Sequence, residues 1–94
     1  MVIGLLTLEI QLPGCQSLKE KRRRIKPLLA RLHREFNVSV AEVELNDNWQ
    51  QSVIACSMVS NSSAHAERTL RKVSRWMEKY WPDATIMDDR IELF

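Results

Sequence analysis

A strand pattern passes into a helix pattern within residues 2–36, VIGLLTLEIQLPGCQSLKEKRRRIKPLLARLHREF. Every second residue at the start of this stretch is apolar or glycine: Val2, Gly4, Leu6, Leu8, Ile10 and Leu12. A period of two with one fully apolar face predicts a β-strand over residues 2–12. The strand should end at Pro13-Gly14, because both residues favour turns.

The helix begins with a capping signal. Residues Ser17–Glu20 have the form of a capping box, in which the serine is the N-cap and the glutamate reaches back to it. Apolar residues then recur at helical spacing: Leu18, Ile25, Leu28, Leu29, Leu32 and Phe36. This spacing predicts a helix of about five turns. Pro27 interrupts the hydrogen bonding, so we predict one bent helix here rather than a helix that begins near Lys26.

The rest of the chain adds a hairpin, a second helix and a last strand. Val38–Leu45 and Trp49–Ser60 are predicted strands, joined by a turn at residues 46–48. Ser62 or Ser63 caps the second helix, whose apolar positions are spaced by four and three: Ala66, Leu70, Val73, Met77 and Tyr80. Pro82 stops this helix, and Thr85–Leu93 supplies the fourth strand.

The order of elements, β-α-β-β-α-β, defines the expected fold class. Two β-α-β halves with right-handed crossovers give an α+β ferredoxin-like sandwich, with a four-stranded antiparallel sheet and both helices on one face. The first and third strands should be central. The apolar fraction of 45% and the charged fraction of 28% fit one globular domain over residues 1–94. Without a signal peptide or membrane span, we expect a cytoplasmic protein with no membrane partner.

Several stretches resemble the YlxP-like family, the bacterial domain of unknown function 503. The resemblance lies in SLKEKRR at 17–23, FNVSVAE at 36–42, Trp49-Gln50, Val59-Ser60-Asn61 and Ala64-His65, so it covers nearly the whole chain. The resemblance implies a ferredoxin-like fold and no established activity. Genes of this family often lie beside those for translation initiation and ribosome maturation factors, which hints at a ribosomal partner by association only.

Charge is strongly segregated, although the net charge is only +2. Residues 17–36 hold eight basic side chains against two acids, and residues 62–81 hold five against two. The remaining chain holds one arginine against eight acids. At helical spacing, a stripe on the first helix could contact phosphate: Lys19, Arg22, Arg23 and Lys26. The partner would be ribosomal RNA, or a ribosome or translation factor. The alternative is a solvated helix face without a partner.

Lys21 differs from the other basic residues of the first helix. Its position on the helix places it on the apolar side, above Ile25 and Leu28. A lysine there must extend its ammonium to water or pair with an acid. The candidate partners on the sheet are Glu9, Glu42 and Glu44. We interpret Lys21 as a structural ion-pair residue rather than a functional one.

The sheet is expected to be apolar on both faces, while the helices can cover only one. An uncovered apolar face needs a partner, and the sequence holds no third layer. We assign a self-association surface to Ile3, Leu5, Ile54 and Met58, and expect a homo-oligomer. The alternative is a set of scattered surface residues without consequence.

No enzyme or cofactor pattern accompanies the fold. The loop of residues 13–17 lacks the glycine-rich cradle and arginine of acylphosphatase-type hydrolysis, and Cys15 lacks the second cysteine of a copper site. We therefore expect no catalytic residue, cofactor or metal. The two central strands also lack the Phe or Tyr on which RNA-recognition motifs stack bases. Trp49 could either pack on the hairpin or stack a base.

Overall fold

The computed structural model describes residues 1–94 and has the six expected elements in the expected order. They are β1 (Val2–Gln11), α1 (Leu18–Glu35), β2 (Ser39–Glu44), β3 (Gln51–Ser60), α2 (Ser63–Tyr80) and β4 (Thr85–Leu93). The four strands form one antiparallel sheet in the order β2-β3-β1-β4. This confirms the ferredoxin-like α+β fold and the central position of the first and third strands.

The apolar side of β1 packs beneath both helices. Leu6, Leu8 and Ile10 are almost fully buried there, together with Leu28 of α1 and Leu70 of α2. Gly4 continues this side of the strand, and a Cβ built on it would lie 2.9 Å from Leu70 Cδ1. An alanine here would require the end of the Leu70 side chain to shift, so the glycine allows α2 to pack closely on β1.

The register of β3 corrects the assignment of two residues to the self-association surface. Leu8 lies opposite Ile54, and Gly4 lies opposite Met58. Cross-strand partners share a face of the sheet, so both residues face the helices. Ile54 is 0% exposed and Met58 is 8% exposed. Their assignment to an uncovered surface was wrong.

The uncovered face of the sheet carries the other set of side chains. Ile3 lies opposite Val59, Leu5 opposite Ser57, and Thr7 opposite Ala55. Ile3 and Val59 are exposed, Val59 to 65%. The predicted residues Ile3 and Leu5 therefore lie on the face that the helices do not cover.

Helix α1 begins at its predicted cap and passes through its proline. The Ser17 hydroxyl accepts a hydrogen bond from the backbone N–H of Glu20 at 3.0 Å. The Glu20 carboxylate accepts from the N–H of Gln16 at 2.8 Å, one residue earlier than in a capping box. The helix is continuous through Pro27, which is exposed, so the alternative start near Lys26 is wrong. In α2 the N-cap is Ser62, whose hydroxyl accepts from His65 N–H.

The connection between β2 and β3 is longer than the predicted turn. It covers residues 45–50, because Leu45 adopts a positive φ of 60° and leaves the strand. The Asn48 side chain then accepts from the N–H groups of Gln50 and Gln51, both at 2.9 Å. This arrangement is the side-chain turn that asparagine favours. Trp49 consequently lies in the loop, 52% exposed, instead of starting the strand.

The buried thiol of Cys56 makes stability depend on pH. Burial raises the pKa of Cys56 from 9.0 to about 12. A raised folded-state pKa stabilises the fold while the thiol is protonated, and this contribution is lost as the unfolded thiol ionises. The stability advantage of the wild type over Cys56→Ala should therefore fall above about pH 9, by up to about 1.4 kcal/mol per pH unit. Urea denaturation of both proteins at about pH 8 and about pH 10.5 measures this; a constant difference would contradict it.

Candidate nucleic-acid interface

The four basic residues predicted on α1 share the outward side of the helix. At about 100° per residue, they lie within an arc of about 100°, opposite the buried residues Ile25, Leu28 and Leu32. All four are exposed and none forms an ion pair: Lys19, Arg22, Arg23 and Lys26. We call these residues the α1 row. Their charges are available to a partner.

A second row of cations runs along α2. Its members are spaced by four, three and four residues, and are all exposed: Arg68, Lys72, Arg75 and Lys79. This spacing confines them to an arc of about 60°, opposite the buried residues Ala66, Leu70 and Met77. None of the four forms an ion pair. We call these residues the α2 row; its spacing is visible in the sequence, although the contact predicted from the sequence is confined to α1.

Acidic side chains neutralise a minority of the basic ones. Of fourteen lysines and arginines, five form ion pairs: Lys21, Arg24, Arg31, Arg71 and Arg90. Arg31 and Arg71 pair with glutamates four residues along their own helices. No member of either row is among these paired residues, so the outward side of the helical layer stays cationic.

Aromatic side chains hold the two helices side by side. Trp76 of α2 meets Phe36 edge-on at 6.2 Å between ring centroids and stacks on Trp81 at 6.1 Å. The Arg31 guanidinium of α1 lies 5.5 Å from the Trp76 ring centroid. Such cation–π and aromatic contacts stabilise helix packing. They orient α1 and α2 so that both rows face away from the sheet.

Arg24 fixes the other end of the helix pair. Its guanidinium donates to the Asp83 carboxylate at 2.9 Å and to the Pro13 carbonyl at 2.9 Å. The contacts join α1 to the loop after α2 and to the loop after β1. Arg24 thus has a positioning role and does not extend the α1 row.

Lys21 is a buried cation, and its ion-pair partner is Glu42. The side chain is 2% exposed, and its ammonium lies 2.8 Å from Glu42 Oε2. It also donates to the carbonyls of Leu45 and Gln51, at 2.6 and 2.8 Å. An ammonium has three N–H donors, so this one has none left for a phosphate. Glu9 and Glu44 lie elsewhere on the sheet and are both exposed.

No helix of the structure combines the length and apolar character that crossing a lipid bilayer requires. The fold and the surface together define a ferredoxin-like sandwich whose cations lie on the outside of its helical layer. The family model described as "Protein of unknown function (DUF503)" matches residues 3–91. The chain therefore belongs to the DUF503 family, which confirms the resemblance seen in the sequence motifs.

Two similar proteins extend this comparison. The Bacillus subtilis (strain 168) protein named "Uncharacterized protein YlxP" is 33% identical over 79 residues, which cover 84% of this chain and 86% of that protein. The solved structure of "De novo designed protein Foldit4" matches with a TM-score of 0.52 and 19% identity, over 98% of this chain and 96% of the design. At that identity, the likeness to the design shows the fold alone.

Proposed function

We propose that this protein is a non-catalytic binding module that contacts RNA through the outward side of its two helices. The observation that carries the proposal is the pair of exposed cation rows, eight side chains without an acidic partner. A protein with a net charge of only +2 would not need such segregation for solubility. Ribosomal RNA is the first partner to test, with a ribosome-bound translation factor as the protein alternative.

Phosphate contact makes a quantitative prediction, because each neutralised phosphate releases counterions. The logarithm of affinity falls with the logarithm of salt concentration by roughly 0.7 to 0.9 per contact. If all eight cations bind phosphate, affinity should fall by roughly 10³- to 10⁴-fold between about 50 mM and about 200 mM salt. Fluorescence anisotropy with a labelled ribosomal RNA fragment measures this dependence. Absent binding, or binding that salt does not weaken, would rule the proposal out.

A second function, self-association, is favoured by the uncovered face of the sheet. Ile3, Leu5 and Val59 lie on this face, where neither helix covers them. We propose that a second copy of the chain covers it, because apolar sheet faces are normally packed against another layer. The proposal is compatible with RNA binding, since the two surfaces are on opposite sides.

Self-association predicts a concentration-dependent mass. Light scattering at high micromolar concentration should show an oligomer, and the variant Val59→Arg should be monomeric because a charge cannot be buried unpaired. Leu93→Arg makes the matching change at an exposed apolar position on β4, whose cross-strand partner Gly4 lies on the helix side of the sheet, and it should leave the oligomer intact. A wild-type monomer would exclude this second function.

A further inference from the structure

A cleft of about 300 Å³ lies between α1 and the β2–β3 hairpin. Its α1 side combines apolar side chains with Lys21, which is paired with Glu42, and with two members of the α1 row: Leu18, Ile25, Leu29, Arg22 and Lys26. Its hairpin side is polar and is formed by Glu42, Asn46 and Asp47. The volume is at the lower end of the range for small-molecule sites, which suits one planar ring system.

The two sides of the cleft carry opposite charge. Arg22 and Lys26 stand on one side without an ion-pair partner, and the carboxylates of Glu42 and Asp47 stand on the other. A matching ligand must therefore carry an anionic group at one end and N–H donors at the other. An apolar ring between these ends would contact the leucines.

Glu42 is held in place as an acceptor. Its Oε2 accepts from Lys21 at 2.8 Å and from the Ser52 hydroxyl at 2.5 Å. Because both donors use Oε2, Oε1 is left without a hydrogen-bond partner in the protein. Lys21 is saturated and cannot swing away to meet a ligand. The cleft thus offers a fixed carboxylate oxygen to a donor on the ligand.

The protein has a larger cleft between α2 and β4, but its two sides do not carry opposite charges. It measures about 590 Å³ and is lined by three arginines and three acids, with only Ile91 as an apolar residue. Arg71 in this cleft is already paired with Glu67 at 2.7 Å. Because its positive and negative side chains balance and its lining is mostly polar, this cleft favours no class of ligand.

We propose that the cleft between α1 and the hairpin binds one unpaired nucleotide of an RNA strand, and this inference rests on the proposed RNA-binding function. The phosphate lies at Arg22 and Lys26, and the base enters the cleft. Glu42 Oε1 accepts a hydrogen bond from an exocyclic amine of the base, as carboxylates do with the N4 amine of cytosine. Proteins read unstacked RNA bases in this way, at their hydrogen-bonding edges. The cleft therefore selects single strands with amino-bearing bases over uracil.

Matched double variants of the α1 row test the site. Arg22→Ala/Lys26→Ala removes the two cations that line the cleft, whereas Lys19→Ala/Arg23→Ala removes two that do not. Both variants change net charge equally on the same helix. With an oligo(C) probe of eight nucleotides, the cleft variant should lose about tenfold more affinity than its control. Wild-type protein should bind oligo(C) about tenfold more tightly than oligo(U).

A third variant fills the cleft without altering charge. Leu29→Phe should lower the affinity for oligo(C) to the affinity for oligo(U). A thermal melt checks that this variant is folded. Equal losses in both double variants, with no base preference, would overturn the cleft while leaving RNA binding intact. If RNA fails to bind, cytidine 5′-monophosphate provides the second readout. Saturable amide shifts around the cleft that vanish in Arg22→Ala/Lys26→Ala would then support the nucleotide site alone, and their absence would overturn it.

Discussion

Replacing Lys21 by methionine is expected to lower the free energy of unfolding by about 3 kcal/mol. Methionine retains the apolar length of the side chain but removes the ammonium. Glu42 then keeps its charge in a largely buried position without its 2.8 Å partner. The carbonyls of Leu45 and Gln51 lose a donor at the same time. Because the total free energy of unfolding of a protein is typically about 5–15 kcal/mol, this loss would be a large part of it. Urea denaturation measures the loss.

Lys26→Met is the control for that experiment. It makes the same chemical change on the same helix, at an exposed lysine without an ion pair. An exposed substitution of this kind should stay within about 0.5 kcal/mol of the wild type. Converting both members of the buried pair, as in Lys21→Met/Glu42→Leu, should recover part of the loss because no unpaired carboxylate remains. Equal effects of Lys21→Met and Lys26→Met would show that the buried pair does not stabilise the fold.

Neutralising the α2 row is expected to have the largest effect on RNA affinity. The quadruple glutamine variant of Arg68, Lys72, Arg75 and Lys79 removes four phosphate contacts while keeping good helix formers. The slope of the logarithm of affinity against the logarithm of salt concentration should become shallower by roughly 3, at 0.7 to 0.9 per lost contact. At about 50 mM salt the affinity itself should fall at least about 100-fold. Anisotropy titrations across a salt series measure both quantities.

A control variant changes net charge equally without touching the helices. It places four glutamates at exposed positions outside the helices, none of them assigned to the self-association surface: Asn37, Asn61, Thr85 and Leu93. Surface charges beyond about 10 Å are largely screened at 0.1 M salt, so its salt dependence should match that of the wild type. If the control loses as much affinity as the α2-row variant, binding responds to overall charge and not to this surface.

Much of the fold follows from periodicity in the sequence. The alternation in residues 2–12 and the cap at Ser17 fixed β1 and the start of α1, because each signal is local. The face of β3 could not be obtained in the same way. Val53 and Ile54 are adjacent and both buried, so apolar character marks both sides of this strand. Only the pairing of β3 with β1 shows which side meets the helices, and that pairing is non-local.

The candidate site was predictable to the extent that it depends on one helix. The α1 row followed from helical spacing, and the α2 row would have followed from the same rule applied to residues 68–79. The contact of Arg31 with Trp76 joins residues on different helices, and no local pattern indicates it. The hairpin was misjudged at Leu45, because leucine rarely adopts a positive φ. The cleft depends on that loop and was therefore not predicted.

Mapping the contact surface of RNA on isotope-labelled protein tests the central claim, that the helical layer is the binding side. Backbone amide shifts on addition of a ribosomal RNA fragment should concentrate on the outward sides of α1 and α2. The strand residues of the opposite face, such as Ile3 and Val59, should be unaffected. Shifts that cluster on that open sheet face, with the two cation rows unchanged, would contradict the account.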